Sequence, residues 1–114
     1  MAAESIPLEK TVVNQILKWL KETGGYAFCY KSHGSAYARA GLPDIVVIDK
    51  CGRFVGLECK RPKVGRLTIL QAKILNQIAE SGGYAAVVTS VEEVIQAMAA
   101  SEAGAAVGRR FIGG

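Results

Sequence analysis

A chain of 114 residues, half of them hydrophobic, is long enough for one compact core, too short for two, and unlike a disordered segment in composition. Its net charge of +4 admits a polyanionic partner without requiring one. No apolar run approaches the ~18 residues of a membrane span, and three cysteines with one histidine and no C-x-x-C spacing argue against a zinc site. The N-terminal MAAESIPLEK carries acids where a signal peptide has an apolar core, so a cytoplasmic protein with reduced thiols is expected.

In residues 8–22, LEKTVVNQILKWLKE, helical spacing places Leu8, Val12, Val13, Ile16 and Leu20 on one stripe. Pro7 suits the first helical position, Gly24-Gly25 ends the helix, and Trp19 reads as core or interface. YAFCYKS (26–32) reads as an aromatic-rich strand, followed by a loop of small and polar residues, SHGSAYARAGLP. His33 in that loop reads as a hydrogen-bonding residue. DIVVID (44–49) is a buried central strand, KCG turns the chain, and FVGLECK (54–60) returns it.

After the basic connector RPKVGR, the apolar set Leu70, Ile74, Leu75 and Ile78 predicts a helix from Thr68 to about Ser81, ended by Gly82-Gly83. YAAVVT (84–89) is a further buried strand. Ser90 with Glu93 offers a capping box for a helix to about Ala100. One domain is expected over residues 1–114, with a core of about 8–100 and a weakly patterned tail, 101–114, that frays or adds a short strand. The order α-β-β-β-α-β(-α) predicts an α/β fold. Its mixed central sheet is flanked by helices and joins an antiparallel hairpin to a parallel pair with a right-handed crossover.

The hairpin over residues 41–62 has a register that can be counted. With Lys50, Cys51 and Gly52 as a three-residue loop and Gly52 as its left-handed residue, Asp49 flanks Arg53. The ladder then pairs Ile48 with Phe54, Val46 with Gly56, and Asp44 with Glu58. Opposed residues share a face, so Lys60 joins the two acids, Cys59 points away, and Gly56 leaves room beside Glu58. A two-residue loop would move every side chain to the other face. Two directly opposed carboxylates repel and call for a cation. Lys60 meets that need in part and a divalent metal meets it better, while a solvated salt-bridge cluster is the structural alternative.

Four features in order resemble a known nuclease family: Glu9 early in the first helix, Gly41-Leu42-Pro43-Asp44, Glu58-Cys59-Lys60, and Gln71 in the following helix. Pro43-Asp44 and Glu58-Cys59-Lys60 resemble the signature of the PD-(D/E)-x-K nuclease superfamily, and the finer pattern is similar to its VRR-NUC (virus-type replication-repair nuclease) branch. The resemblance covers residues 9 to about 90. It implies a restriction-endonuclease-like core and a metal-dependent, structure-selective DNA endonuclease, bacterial or phage-encoded, acting on branched or Holliday-junction-like DNA as a homodimer.

By the same resemblance, Asp44, Glu58 and the backbone carbonyl of Cys59 would ligate Mg²⁺ or Mn²⁺. Glu9 would complete the metal site directly or through water, Lys60 would activate the attacking water and stabilise the phosphate, and Gln71 would hold Lys60 or a phosphate. Glu9 also suits the helix dipole, and Gln71 can close a capping box with Thr68.

Lys60, Arg61, Lys63 and Arg66 put four cations on the connector without an acid, where they are solvated or meet phosphates flanking the cut. Tyr37 and Arg39, in the loop leading to Asp44, are further candidates for DNA contact. No base-reading element is recognisable, which favours recognition of shape over sequence. The competing functions are a non-catalytic DNA-binding or accessory subunit that retains the fold, a sequence-specific restriction-type nuclease, and a scaffold unrelated to nucleic acid.

Overall fold

The computed structural model describes residues 5–32 and 40–114. Its elements in chain order are α1 (Glu9–Lys18), β1 (Cys29–Lys31), β2 (Ile45–Ile48), β3 (Phe54–Cys59), α2 (Ile69–Glu80), β4 (Tyr84–Val88) and α3 (Val91–Glu102). The strands lie side by side as β1-β2-β3-β4 in one mixed sheet. β1 and β3 run antiparallel to β2, and β3 runs parallel to β4. The result is a compact α/β domain of three helices and a four-stranded mixed sheet. Among the described residues no helix is long and apolar enough to cross a membrane.

Strand alternation sorts the core. Ile45, Val47, Val55, Leu57 and Cys59 point to one face and pack with Val12, Val13, Ile16 and Leu20 of the first helix and with Val94, Ala97 and Met98 of α3. The opposite face carries Val46 and Gly56, and α2 lies over it. A Cβ on Gly56 would come within 2.9 Å of both Ile78 Cδ1 and Pro43 Cγ. The room expected beside Glu58 is therefore filled by a proline ring and an isoleucine, and glycine is what lets the helix close onto the sheet.

The hairpin has the counted register: Ile45 opposite Leu57, Val46 opposite Gly56, Val47 opposite Val55, Ile48 opposite Phe54. Gly52 has φ +85°, and the Asp49 N–H donates to the Arg53 carbonyl at 2.9 Å, so the loop has three residues.

Several boundaries differ from the sequence reading for physical reasons. The first helix widens into a π-turn over Trp19–Thr23, which directs Tyr26 into the core, where its hydroxyl donates to Glu102 at 2.9 Å. Only Cys29–Lys31 of the expected seven-residue strand can then pair with β2. Leu8 is the N-cap of α1 and is exposed, as is Leu70, so neither joins the apolar stripe. Pro7 lies before the helix, and its carbonyl accepts from Arg61. Ser90 caps α3, but the Glu93 carboxylate accepts from Thr89 rather than from Ser90.

Past α3 the tail adds no strand. Residues 103–114 return across α2, where the Asn76 amide donates to the Phe111 carbonyl at 2.9 Å and accepts from its N–H at 2.8 Å. The Gly114 N–H reaches the Leu67 carbonyl at 3.3 Å.

Candidate active site

The open end of the hairpin brings Asp44 and Glu58 together beside Lys60. Asp44 directly precedes β2, and its Oδ2 accepts from the Cys59 N–H at 2.8 Å, which fixes the carboxylate against the end of β3. β1 holds the same point from the other side. The Ser32 N–H donates to the Asp44 carbonyl at 2.9 Å, and its hydroxyl donates to the Pro43 carbonyl. Ser32 carried no role in the sequence reading. Continuing the β1–β2 register past Lys31 and Ile45 brings it opposite Asp44, a pairing across a long loop that only the fold reveals.

Glu58, in β3, is 1% exposed. Its Oε1 accepts from Gln71 Nε2 at 3.0 Å and lies 3.6 Å from Lys60 Nζ, while its buried Oε2 has no hydrogen-bond partner. Burial raises its pKa most, the nearby charge of Asp44 raises it further, and Glu9 adds to the same direction. Lys60 opposes them without winning, and the carboxyl is pushed up to about 8. The site thus favours the neutral form of Glu58, and a cation beside it would favour the charged one.

Lys60 is held on two sides, at 3.6 Å from Glu58 Oε1 and 3.7 Å from Glu9 Oε1, with its side chain mostly covered. Glu9 reaches it from the first turn of α1 and is half exposed. The structure thus places Glu9 on the lysine. Among the described residues no three His, Cys, Asp or Glu side chains form a ready-made cation cage. Cys59 points its thiol into the core, where burial, then the charges of Asp44 and Glu58, hold it well above the ordinary thiol range.

Gln71 does both jobs the sequence allowed. Its Oε1 accepts from the Thr68 N–H at 2.9 Å, its own N–H donates to Thr68 Oγ1 at 3.1 Å, and its Nε2 reaches Glu58. The capping box therefore fixes the amide that orients the acid.

The basic connector divides in two. Arg61 spends its guanidinium on the carbonyls of Pro7, at 3.0 Å, and Ile6, at 3.3 Å, tying the segment before α1 to the exit of β3. Lys63 and Arg66 are exposed, and Arg66 shares a pocket with Lys60. Tyr37 and Arg39 lie outside the described residues, as does His33.

The donor set suits a hard divalent ion of modest coordination demand. Mg²⁺ is commonly held by one or two carboxylates and completes its shell with water and phosphate oxygens. Asp44 and Glu58 supply two carboxylates of that kind, and the unpartnered Glu58 oxygen is the observation that a cation would resolve. In comparisons with known proteins, the chain matches no family model and no curated protein.

Proposed function

We propose that this protein is a metal-dependent phosphodiesterase, a structure-selective DNA endonuclease for branched or Holliday-junction-like substrates. The observation that carries this reading is Glu58, a fully buried acid set against a second acid, with one oxygen left without a donor. A pure binding surface gains nothing from such a pair, whereas a cation site needs it. The reading includes a restriction-endonuclease-like core, the VRR-NUC branch of the PD-(D/E)-x-K superfamily and a cytoplasmic, bacterial or phage-encoded setting.

Asp44, Glu58 and the Cys59 carbonyl would hold Mg²⁺ or Mn²⁺. When bound, such an ion supplies Lewis acidity toward the phosphate and makes a water acidic enough to act near neutral pH. The chain's own groups do the rest. The Cys59 N–H and Gln71 Nε2 fix the two carboxylates before substrate arrives, so little reorganisation is needed. Lys60, braced between Glu58 and Glu9, presents a positive charge to the scissile phosphate and orients the attacking water. Lys63 and Arg66 meet the flanking phosphates, and Arg61 holds the start of α1 so that Glu9 can reach Lys60. A symmetric dimer would present two such sites to opposed strands of a junction.

The test is cleavage of labelled four-way junction, flap, single-stranded and linear duplex DNA with Mg²⁺ or Mn²⁺, by the wild type and by Glu58→Ala and Lys60→Ala. Branched substrates cut by the wild type and spared by both variants are expected. No cleavage by the wild type, or full cleavage by both variants, overturns the assignment. Equal cutting of all four substrates removes the structure selectivity alone.

A further inference from the structure

On the face of the sheet that bears Asp44 and Glu58, α2 closes over Gly56 through Ile78. There a groove of about 690 Å³ runs beside α2, with Tyr30, Phe54, Leu42, Pro43, Val46 and Ile74 among its lining. That volume lies within the usual range for sites that take a small organic group. Among the described residues none lining it carries a charge, and Tyr30 and Phe54 stay 47% and 40% exposed. Phe28 stands edge-on to Tyr30, with ring centroids 5.7 Å apart, and braces that ring from behind.

The position of the groove says what it could hold. Pro43 forms one wall and is the residue before Asp44, so the groove lies next to the candidate metal site along the sheet face. Tyr30 is the cross-strand partner of Val46, which lies two residues along β2 from Asp44 on the same face. Two residues of strand span about 7 Å, comparable to one step along an extended nucleic-acid strand. A phosphate held at Asp44 and Glu58 would thus carry its neighbouring nucleotide over the aromatic groove, where an uncharged, flat, apolar group is wanted.

The geometry points to this groove as a stacking site for an unpaired nucleobase next to the scissile phosphate, with Tyr30 as the main platform and Phe54 as the second. It rests on the nuclease reading and deepens it by naming the substrate class: a strand with at least one unstacked nucleotide beside the cut, as at a flap, fork or junction. A base locked in a duplex cannot reach the groove, which gives this small domain a physical route to structure selectivity without a base-reading element.

Binding measured in EDTA separates this inference from catalysis. The probes are a duplex with a single-stranded overhang carrying 2-aminopurine at the fork and the matching blunt duplex, titrated with wild type, Tyr30→Ala, Phe54→Ala and Tyr30→Phe. Both alanine variants should weaken overhang binding roughly 5- to 150-fold, the range for one lost base–aromatic stack. They should leave blunt-duplex binding within about 2-fold, and Tyr30→Phe, which keeps the ring, should behave as wild type. The 2-aminopurine emission should be quenched by wild type and not by Tyr30→Ala. Wild-type overhang affinity in Tyr30→Ala, or an equal loss on both probes, overturns the inference. Dissolution of a dimer by Tyr30→Ala in sedimentation, with overhang affinity unchanged, also overturns it and makes the groove a self-association surface. Overhang-selective binding without any cleavage would refute the nuclease reading and leave the groove standing, whereas cleavage with unaffected groove variants would do the reverse.

Discussion

Asp49 and Glu58 are both buried carboxylates on the β2–β3 hairpin, 4% and 1% exposed, one at the turn and one at the open end. Asp49 accepts from the Cys51 and Arg53 N–H groups, each at 2.8 Å, and from Ser101 Oγ at 2.6 Å. Burial alone would raise its pKa. The hydrogen bonds from Ser101, Arg53 and Cys51, with the charge of Arg53, outweigh burial and hold it below its ordinary value. Glu58 has one amide donor, a lysine 3.6 Å away, a second acid beside it and an orphan oxygen, and it is pushed up to about 8. The same hairpin thus satisfies one acid completely and leaves the other wanting a positive partner. Satisfaction marks a structural carboxylate, and its absence in a buried acid marks a place built for something the chain does not itself supply.

The contrast can be broken from either end. The largest expected effect is at the turn. Asp49→Ala strands two backbone donors and a serine hydroxyl and should lower unfolding stability by roughly 3–4 kcal/mol. Urea denaturation measures it, and a loss below about 1 kcal/mol would mean that the turn does not depend on the acid. At the open end, Lys60→Ala should reduce cleavage roughly 10²- to 10³-fold, as expected for loss of one charge-stabilising group, with only a small change in urea midpoint. A large stability loss with little kinetic effect would make Lys60 a structural partner of Glu58 and Glu9.

Gln71 serves both stability and orientation, and two variants separate these roles. Thr68→Ala removes the cap and should cost about 1 kcal/mol of stability while leaving cleavage nearly intact. Gln71→Ala should lose a similar amount of stability and in addition roughly 10- to 100-fold of activity, the usual scale for a group that orients a metal ligand. Equal activity of the two variants would confine Gln71 to its capping role.

The smallest effect is a slope with pH. Glu58 holds a proton in the folded state up to about 8, whereas in the unfolded chain it releases it near 4.5. Across that window the native state binds more protons, so the stability Glu58 contributes declines as pH rises. Asp49 has the opposite sign: its depressed pKa gives stability that is present above its ordinary value of 3.8 and lost as pH falls through the folded value. Urea midpoints at pH 5.5 and 8 should therefore fall for wild type, and Glu58→Gln should flatten the difference. An unchanged slope in that variant would place the titration elsewhere.

Much of this was legible in the chain. Gly52 after Lys50-Cys51 set the turn length, and the turn length set every pair down to the approach of Asp44 and Glu58, because strand pairing propagates with a period of two. Glycine pairs, capping residues and apolar spacing placed the helices within a few residues, since those signals act through neighbours one helical turn away.

What the sequence could not decide depends on which distant segment covers which atom. Asp49 looked like an ordinary strand-end acid until Ser101 of α3, 52 residues on, donated to it. Arg61 sat in a basic run that suggested phosphate binding, yet its guanidinium closes on Pro7 and Ile6, 54 and 55 residues earlier. The tail carried no readable pattern because its partners are Asn76 and the Leu67 carbonyl on another element. Local chemistry thus determined the elements and the register that brings two acids together. Only packing determined how deeply Glu58 is buried and which of its oxygens goes unpartnered, because desolvation is set by everything around an atom and not by its neighbours in the chain.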